Sequence, residues 1–304
     1  MLVNQAIQEF ISEKEYENLS KSTLASYSHL FSIFEDWCEK HQYKQIQEIN
    51  TREIKSFLLM CKTERNNNAT SLNNKRKLLR AFFNFLISEK ILEENPTNGI
   101  RKAKEDIHIK VFSDQEVNEI VSHLRRKKKR EKNFYSVRNY CMFLTLIGTG
   151  VRASELVSIT WNSLDIPNKR LKIYGKARKD QYVPLTEELI KELLYWKAYC
   201  EKKFRNLSSS VFVNSQNKAL TVNGLKCWFK RLAQTMAFPE TRCSPHSCRH
   251  YFAKTWIQNG GDISTLSKML RHTSVKTTEK YLHWFGNEVA EDNNKFNPLN
   301  KLSL

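Results

Sequence analysis

Apolar residues recur at three- and four-residue spacing along the first 98 residues, which is the period of an amphipathic helix. The pattern predicts four helices: one near the N-terminus, a second over about residues 23–41, a third from about Thr51, and a fourth over about residues 71–89. Ser22 and Thr51 are of the residue types that cap helix starts. The positions predicted to face inward are Ile7, Phe10, Ile11, Leu24, Tyr27, Leu30, Phe31, Phe34, Ile54, Phe57, Leu58, Leu78, Leu79, Phe82, Phe83 and Leu86.

The helical pattern stops at Asn95-Pro-Thr-Asn-Gly99, a sequence typical of a turn. The segment after it, residues 100–110, is charged and has no period, so it is interpreted as a linker. A length of 304 residues also favours two domains. We therefore expect a helical domain over residues 1–104 and a second domain over residues 105–304.

The second domain mixes helix and strand patterns. Ser113 and Glu116 have the spacing of a capping box before an amphipathic helix, and residues 136–149 have the composition of a buried helix. Residues 171–174 and 181–185 are predicted to form a β-hairpin around the polar turn 175–180, and the pattern after residue 186 is mostly helical. The expected fold is mainly α with a small β-hairpin or sheet, an α+β class.

Charge divides unequally between these two domains. The net charge is +18, with 16 basic and 13 acidic side chains in residues 1–104 against 34 and 19 in residues 105–304. A basic excess in one domain favours a polyanionic partner, and nucleic acid is the commonest one because each neutralised phosphate releases counterions. A run of six basic residues, Arg125 to Arg130, is interpreted first as a solvated helix end and alternatively as a contact to phosphates.

Cysteine usage and hydropathy indicate the compartment. The seven cysteines are odd in number and irregularly spaced, which favours free, buried thiols in a reducing compartment. The N-terminus lacks the basic start and apolar stretch of a signal peptide. The longest apolar run, residues 140–147, is far shorter than the roughly 18 residues that a membrane span needs. We expect a soluble, cytoplasmic protein without a membrane partner.

The first candidate for chemistry is a turn that leads into a helix, Gly148-Thr-Gly-Val-Arg152-Ala-Ser-Glu155. It places Arg152 at a helix start, where backbone N–H groups also favour an anion, with Glu155 on the same helical face. Taken alone, the pair is better explained as a surface ion pair. Lys176, in the predicted hairpin turn, is likewise an ordinary solvated lysine unless other residues support it.

The second candidate is the segment Ser244-Pro-His246-Ser-Cys-Arg249-His250. Pro245 suits a helix start, and His246 and Arg249 then project from one face of that helix. A zinc site is the alternative interpretation of this segment, with Cys243, His246, Cys248 and His250 as the ligands. Their spacing does not match paired zinc ligands, and close helical neighbours cannot all face one ion.

The third candidate is His272 followed nine residues later by Tyr281. By themselves, a single histidine and a single helical tyrosine more often belong to packing than to catalysis. The ordered set is more specific than its members: an arginine, a lysine in a hairpin, His-x-x-Arg, then a histidine and a tyrosine. In this order the chain resembles the tyrosine recombinase, or phage integrase, family over nearly its whole length, and is most similar to the Xer-type members.

The resemblance implies a fold and a catalytic set. It implies an N-terminal helical, SAM-like domain that clamps DNA and a C-terminal catalytic domain. The residues that match the family's catalytic positions are Arg152, Lys176, His246, Arg249, His272 and the nucleophile Tyr281, with Glu155 at a supporting acidic position. One departure is Arg271, where the family often has glycine; an arginine there would alter local packing or add a phosphate contact.

The resemblance also implies chemistry and partners. Tyr281 would form a 3′-phosphotyrosyl link, with two arginines on the phosphate and strand exchange through a Holliday junction. Double-stranded DNA, a synaptic tetramer and accessory proteins would be the partners. Residues 288–304 would dock on a neighbouring subunit, and the alternative from the residues alone is a frayed chain end. The sequence holds no glycine-rich nucleotide loop and no carboxylate cluster for two metals, so we expect neither a cofactor nor a metal. Two alternatives remain open: a type IB topoisomerase-like enzyme, and a non-catalytic DNA-binding regulator on the same fold.

Overall fold

The computed structural model describes residues 1–105, 111–174, 180–239, 241–272 and 274–285. The chain divides into two compact units, Met1–His108 and Ile109–Leu304. Lys176 and residues 288–304, both named from the sequence, lie outside the described residues. Within the described part of the chain, no helix is both long and apolar enough to cross a membrane.

The first unit contains the four helices that the apolar pattern predicts. They are α1 (Val3–Tyr16), α2 (Lys21–Lys40), α3 (Thr51–Thr63) and α4 (Ala69–Ser88), with a 3₁₀ turn at Ile46–Glu48. The predicted caps were wrong by one or two residues. Ser20, in place of Ser22, accepts the backbone N–H of Thr23, and Asn50, in place of Thr51, accepts that of Arg52. In both cases an earlier residue with extended backbone and a short polar side chain takes the cap position.

Aromatic side chains fill the centre of this unit. Phe10 of α1 is fully buried, and its ring centroid lies 5.0 Å from that of Tyr27, 5.6 Å from Phe31 and 5.4 Å from Phe82, all edge-to-face. Such edge-to-face pairs each contribute about 0.5–1.5 kcal/mol beyond the area that they bury. The core therefore joins α1, α2 and α4, and most of the residues predicted to face inward are in it.

The second unit is also mainly helical in its described part, with one small sheet. Its helices are α5 (Asp114–Glu131), α6 (Phe134–Thr149), α7 (Ala153–Ser158), α8 (Glu187–Lys203), α9 (Val222–Met236), α10 (Pro245–Gln258), α11 (Ile263–Leu270) and α12 (Lys276–Phe285). The strands are β1 (Leu164–Asp165), β2 (Arg170–Tyr174) and β3 (Asp180–Pro184), antiparallel in the order β1-β2-β3. The predicted hairpin is confirmed as β2 and β3, while the two-residue strand β1 was missed.

Helix α6 is the centre of the second unit. It packs against α5, α8 and α10, and most of its residues are buried. It ends at Gly150, whose φ of 61° lies in the left-handed region. A Cβ on Gly150 would come within 2.8 Å of the Phe252 ring, so both backbone and space require glycine. This turn fixes where the chain leaves α6 and so sets the position of Arg152.

The basic run at the end of α5 has two kinds of residue. Lys128 is half-buried, with its Nζ 2.5 Å from Glu192 Oε2 and 4.0 Å from the centroid of the Tyr195 ring. The residues around it, such as Arg126 and Lys129, are exposed. Lys128 therefore ties α5 to α8, and only its exposed neighbours remain candidates for a phosphate contact.

All seven cysteines are free, as the sequence predicts. Cys227 is exposed and Cys243 is half-buried, so the expectation that every thiol is buried was wrong for these two.

Candidate active site

Arg152 occupies the N-cap position of α7, as its spacing from the glycine turn predicts. Oε2 of Glu155 accepts the backbone N–H of Arg152 at 2.7 Å, and Oε1 accepts Nη1 of the same residue at 2.7 Å. Glu155 therefore caps the helix and also orients the guanidinium. The Arg152 side chain remains 42% exposed, so part of its planar fork is available to a ligand.

Arg249 lies in the first turns of α10, which begins at Pro245 behind the N-cap Ser244. Its side chain is buried, and it donates from Nη1 to the carbonyl of Gly150 at 2.7 Å and from Nη2 to the carbonyl of Leu270 at 2.5 Å. One guanidinium thus joins the end of α6, the start of α10 and the end of α11.

His272 and Tyr281 meet across the turn between α11 and α12. Nδ1 of His272 lies 2.6 Å from Oγ1 of the fully buried Thr278, one helical turn before Tyr281. The Tyr281 ring is 4% exposed and lies parallel to the His272 ring, with centroids 6.4 Å apart. The structure therefore brings these two residues together, which their nine-residue separation alone does not establish.

His250 is a further aromatic neighbour of Tyr281, and from the sequence it was considered only as a zinc ligand. Its ring centroid lies 4.1 Å from that of His246 and 5.5 Å from that of Tyr281. The four-residue spacing of His246 and His250 was the available signal, because it places both rings on one helical face. In the described residues, no group of three or more His, Cys, Asp or Glu side chains has the geometry to hold a metal ion.

The electrostatics of the site keep its histidines neutral. Burial, and then the charges of Arg249, Arg152 and Arg271, lower the pKa of His272 to about 4. Burial and the neighbouring His246 and Arg249 lower the pKa of His250 to about 4. Burial and nearby arginines also lower the pKa of His246. All three imidazoles are therefore mainly neutral at pH 7 and able to accept a proton.

The pKa values of Tyr281 and Glu155 are shifted in opposite directions. Burial raises the pKa of the Tyr281 phenol, although Arg249 and Arg152 partly oppose this, so the phenol is protonated at neutral pH. Burial also raises the pKa of Glu155, but Arg271 and Arg152 outweigh it and hold that pKa below its usual value. Glu155 is therefore a carboxylate held between two arginines.

Arg271, the departure noted in the sequence, lies inside this network. Its side chain is 2% exposed, and Nη2 donates to Oε2 of Glu155 at 2.7 Å. Of the two expectations for this residue, altered packing is the one that the geometry supports. Lys176 lies outside the described residues, between the end of β2 at Tyr174 and the start of β3 at Asp180.

Comparison with known proteins gives the family. The phage integrase family model matches residues 110–288, and the N-terminal SAM-like domain of phage integrases matches residues 7–90. The tyrosine recombinase XerC of Leptospira interrogans is 27% identical over 97% of this chain and 94% of its own. XerD of Oceanobacillus iheyensis is 29% identical over 93% of this chain and 94% of its own.

Solved structures agree on the fold. The Tn1549 transposon integrase, in a complex with transposon right-end DNA, superposes with a TM-score of 0.78 at 19% identity, over 92% of this chain and 94% of that one. The family models together extend over most of the chain, and its described helices and three-stranded sheet match the fold of a solved integrase. The chain therefore belongs to the phage integrase family and is a Xer-like tyrosine site-specific recombinase.

Proposed function

We propose that this recombinase cleaves and rejoins DNA strands through a 3′-phosphotyrosyl intermediate on Tyr281, and exchanges strands through a Holliday junction. The observation that carries the proposal is the convergence of Arg152, Arg249, His272 and Tyr281 around one small volume, although they come from separate elements. Arginine forks and a phenol in one place suit in-line attack on a phosphodiester.

The two arginines bind the scissile phosphate. Arg152 is partly exposed and is oriented by Glu155, while Arg249 is buried and held by two carbonyls, so the position of each guanidinium is set by the fold. Planar forks match the non-bridging phosphate oxygens and stabilise the charge that develops on them. A single donor of this kind is worth about 3–4 kcal/mol in other transition states.

Tyr281 Oη attacks the phosphorus, the bond to the 5′ oxygen breaks, and a 5′ hydroxyl leaves. The phenol has a raised pKa, so it needs a base to take its proton. His246 is our candidate for that base, because its lowered pKa leaves it neutral at pH 7. The link conserves the energy of the phosphodiester, so the reverse attack by a second 5′ hydroxyl completes strand exchange without ATP.

His272 donates a hydrogen bond to a phosphate oxygen in this scheme. It is neutral, with a pKa of about 4, and therefore carries one ring N–H. If the Thr278 hydroxyl donates to Nδ1, the proton resides on Nε2, the nitrogen on the other side of the ring. Lys176, assigned by the resemblance, protonates the leaving 5′ oxygen.

The partner that we propose is double-stranded DNA, bound by a synaptic tetramer with accessory proteins. The net charge of +18 supports a polyanionic partner, and the Tn1549 integrase is a relative solved in a complex with DNA. The first unit would clamp the duplex, and residues 288–304 would dock on a neighbouring subunit.

The test begins with a binding site selected from random duplexes with the purified protein. Two copies of that site on separate linear duplexes, incubated in EDTA without ATP, should yield recombinant products and four-way junction intermediates. Relaxation of supercoiled DNA without any recombinant would indicate a topoisomerase. Binding without cleavage of either substrate would indicate a non-catalytic regulator and overturn the proposal.

A further inference from the structure

Arg271 combines two features that need an explanation. Its backbone is in the left-handed region, with a φ of 55°, at the C-cap of α11, where glycine has the lowest strain. Its charged side chain is almost fully buried, at 2% exposure. Both features are unfavourable by themselves, so the contacts of this side chain must offset them.

Those contacts converge on Glu155. Nη2 of Arg271 donates to Oε2 of Glu155 at 2.7 Å, and Nη1 donates to the carbonyl of Met269 at 2.6 Å. The same Glu155 carboxylate accepts the backbone N–H and Nη1 of Arg152. One carboxylate is therefore shared by two guanidinium groups that are separated by 119 positions in the chain.

The backbone around Arg271 extends this connection to the second phosphate-binding arginine. The carbonyl of Arg271 accepts Nη2 of Arg152 at 3.4 Å, and the preceding carbonyl, that of Leu270, accepts Nη2 of Arg249 at 2.5 Å. The residue that follows is His272. Segment 270–272 thus touches both arginines and carries the histidine.

A direct contact between Arg271 and a phosphate does not suit this geometry. Its side chain is 2% exposed, whereas that of Arg152 is 42% exposed, and its donors already point to Glu155 and to a carbonyl. The charge of Arg271 is also paired with the Glu155 carboxylate. Arg249 is buried as well, but it donates to two neutral carbonyls, so its positive charge remains available to a phosphate.

We propose that Arg271 is a positioning residue that holds Glu155, and through it Arg152 and segment 270–272, in the arrangement that the scissile phosphate requires. The inference rests on the proposed function. A small displacement of these groups lowers the cleavage rate because the transition state requires closer alignment than binding does.

The test compares Arg271→Gly, Arg271→Lys and Glu155→Gln with an exposed control. Glycine suits the left-handed backbone, so the change removes the side chain, with its contacts to Glu155 and to the Met269 carbonyl, without straining the turn. Ala237→Gly is the matched control, since Ala237 is an exposed C-cap residue of α9 with a φ of 50° and no ion pair. Each variant is measured for DNA affinity at several salt concentrations and for single-turnover cleavage of a nicked duplex.

For Arg271→Gly we expect cleavage to fall about 100-fold, the effect of misplacing a catalytic group by about 1 Å. DNA affinity and its salt dependence should remain at the wild-type values, because no phosphate contact is lost. Arg271→Lys should recover part of the rate. The Arg271→Gly, Glu155→Gln double variant should be little slower than the slower single variant, since both changes remove one interaction.

The outcomes separate the inference from the function on which it rests. A salt slope that falls by about one in Arg271→Gly would mean a lost phosphate contact and would overturn the inference. So would cleavage at the wild-type rate, or additive losses in the double variant. If Arg271→Gly does not fold, Glu155→Gln carries the same test, because it weakens the same ion pair, and a wild-type rate would again count against the inference. A wild type that cleaves no substrate overturns the proposed function itself.

Discussion

Replacing Thr278 with valine removes one hydroxyl from the candidate active site and leaves the side-chain volume almost unchanged. Thr278 is fully buried, and its Oγ1 lies 2.6 Å from Nδ1 of His272. His272 has a pKa of about 4, so at pH 7 its ring holds a single proton that can reside on either nitrogen. In the proposed mechanism, the Thr278 hydroxyl keeps that proton on Nε2.

The expected losses of stability and of cleavage rate follow from the His272 Nδ1 atom, which valine would leave without a hydrogen-bond partner. Nδ1 would face a methyl group, and a buried polar atom without a partner costs about 1–3 kcal/mol. The imidazole can relieve this cost by rotating or by moving its proton, and either change removes the donor that we assign to the phosphate. Loss of one such donor slows other enzymes by about 10²–10³-fold. We therefore expect Thr278→Val to slow cleavage about 100-fold and to lower the free energy of unfolding by about 1–3 kcal/mol.

The assay is single-turnover formation of the covalent complex, measured beside denaturant unfolding and ¹⁵N spectra of the histidine rings. Thr278→Ser is the matched control, because it keeps the hydroxyl and loses one methyl group, worth about 1 kcal/mol of burial. It should retain most of the cleavage rate. If Thr278→Val cleaves DNA as fast as Thr278→Ser, then His272 is not the donor that we propose.

Three further predictions concern stability and DNA binding. Gly150→Ala should lower the free energy of unfolding by about 2–4 kcal/mol, from left-handed strain and the clash with Phe252, whereas Gly99→Ala, where a Cβ meets only an ordinary contact, should change the denaturant midpoint little. His250 and His272 have folded-state pKa values of about 4, below the usual 6.5, so the unfolded chain binds protons first as the pH falls. The denaturant midpoint should therefore decrease as the pH falls from 6.5 to 4, and it should decrease less steeply in His250→Phe. The same pH dependence in His250→Phe as in the wild type would contradict this prediction. Neutralising the exposed members of the basic run should weaken DNA binding for all sequences and flatten its salt dependence, while an unchanged slope would identify the run as a solvated helix end.

The sequence predicted the helices well because their cores depend on local periodicity. The residues Phe10, Phe31 and Phe82 were placed inward by spacing alone, and all three are fully buried. The cap positions were less predictable, since several short polar residues adjoin each start and only backbone geometry selects one. Strand β1 has two residues, too few to show any alternation.

The residues of the candidate site could be predicted from the sequence, but most of the contacts that join them could not. Arg152 and Glu155 are three residues apart, so their ion pair followed from helical geometry. The Arg271–Glu155 pair joins positions 116 apart, and no local pattern specifies such a contact. The same is true of the approach of His250 to Tyr281, which depends on how α10 and α12 pack.

The central claim is that Tyr281 is the nucleophile, and a covalent adduct tests it most directly. A nicked duplex with the selected site would be incubated in EDTA with the wild type, Tyr281→Phe and Tyr251→Phe, a matched tyrosine variant in α10. Denaturing gels would then detect protein–DNA adducts, and peptide mapping would locate them. The account predicts adducts in the wild type and in Tyr251→Phe, linked through Tyr281, and none in Tyr281→Phe although it still binds the duplex. An adduct retained in Tyr281→Phe would contradict the account.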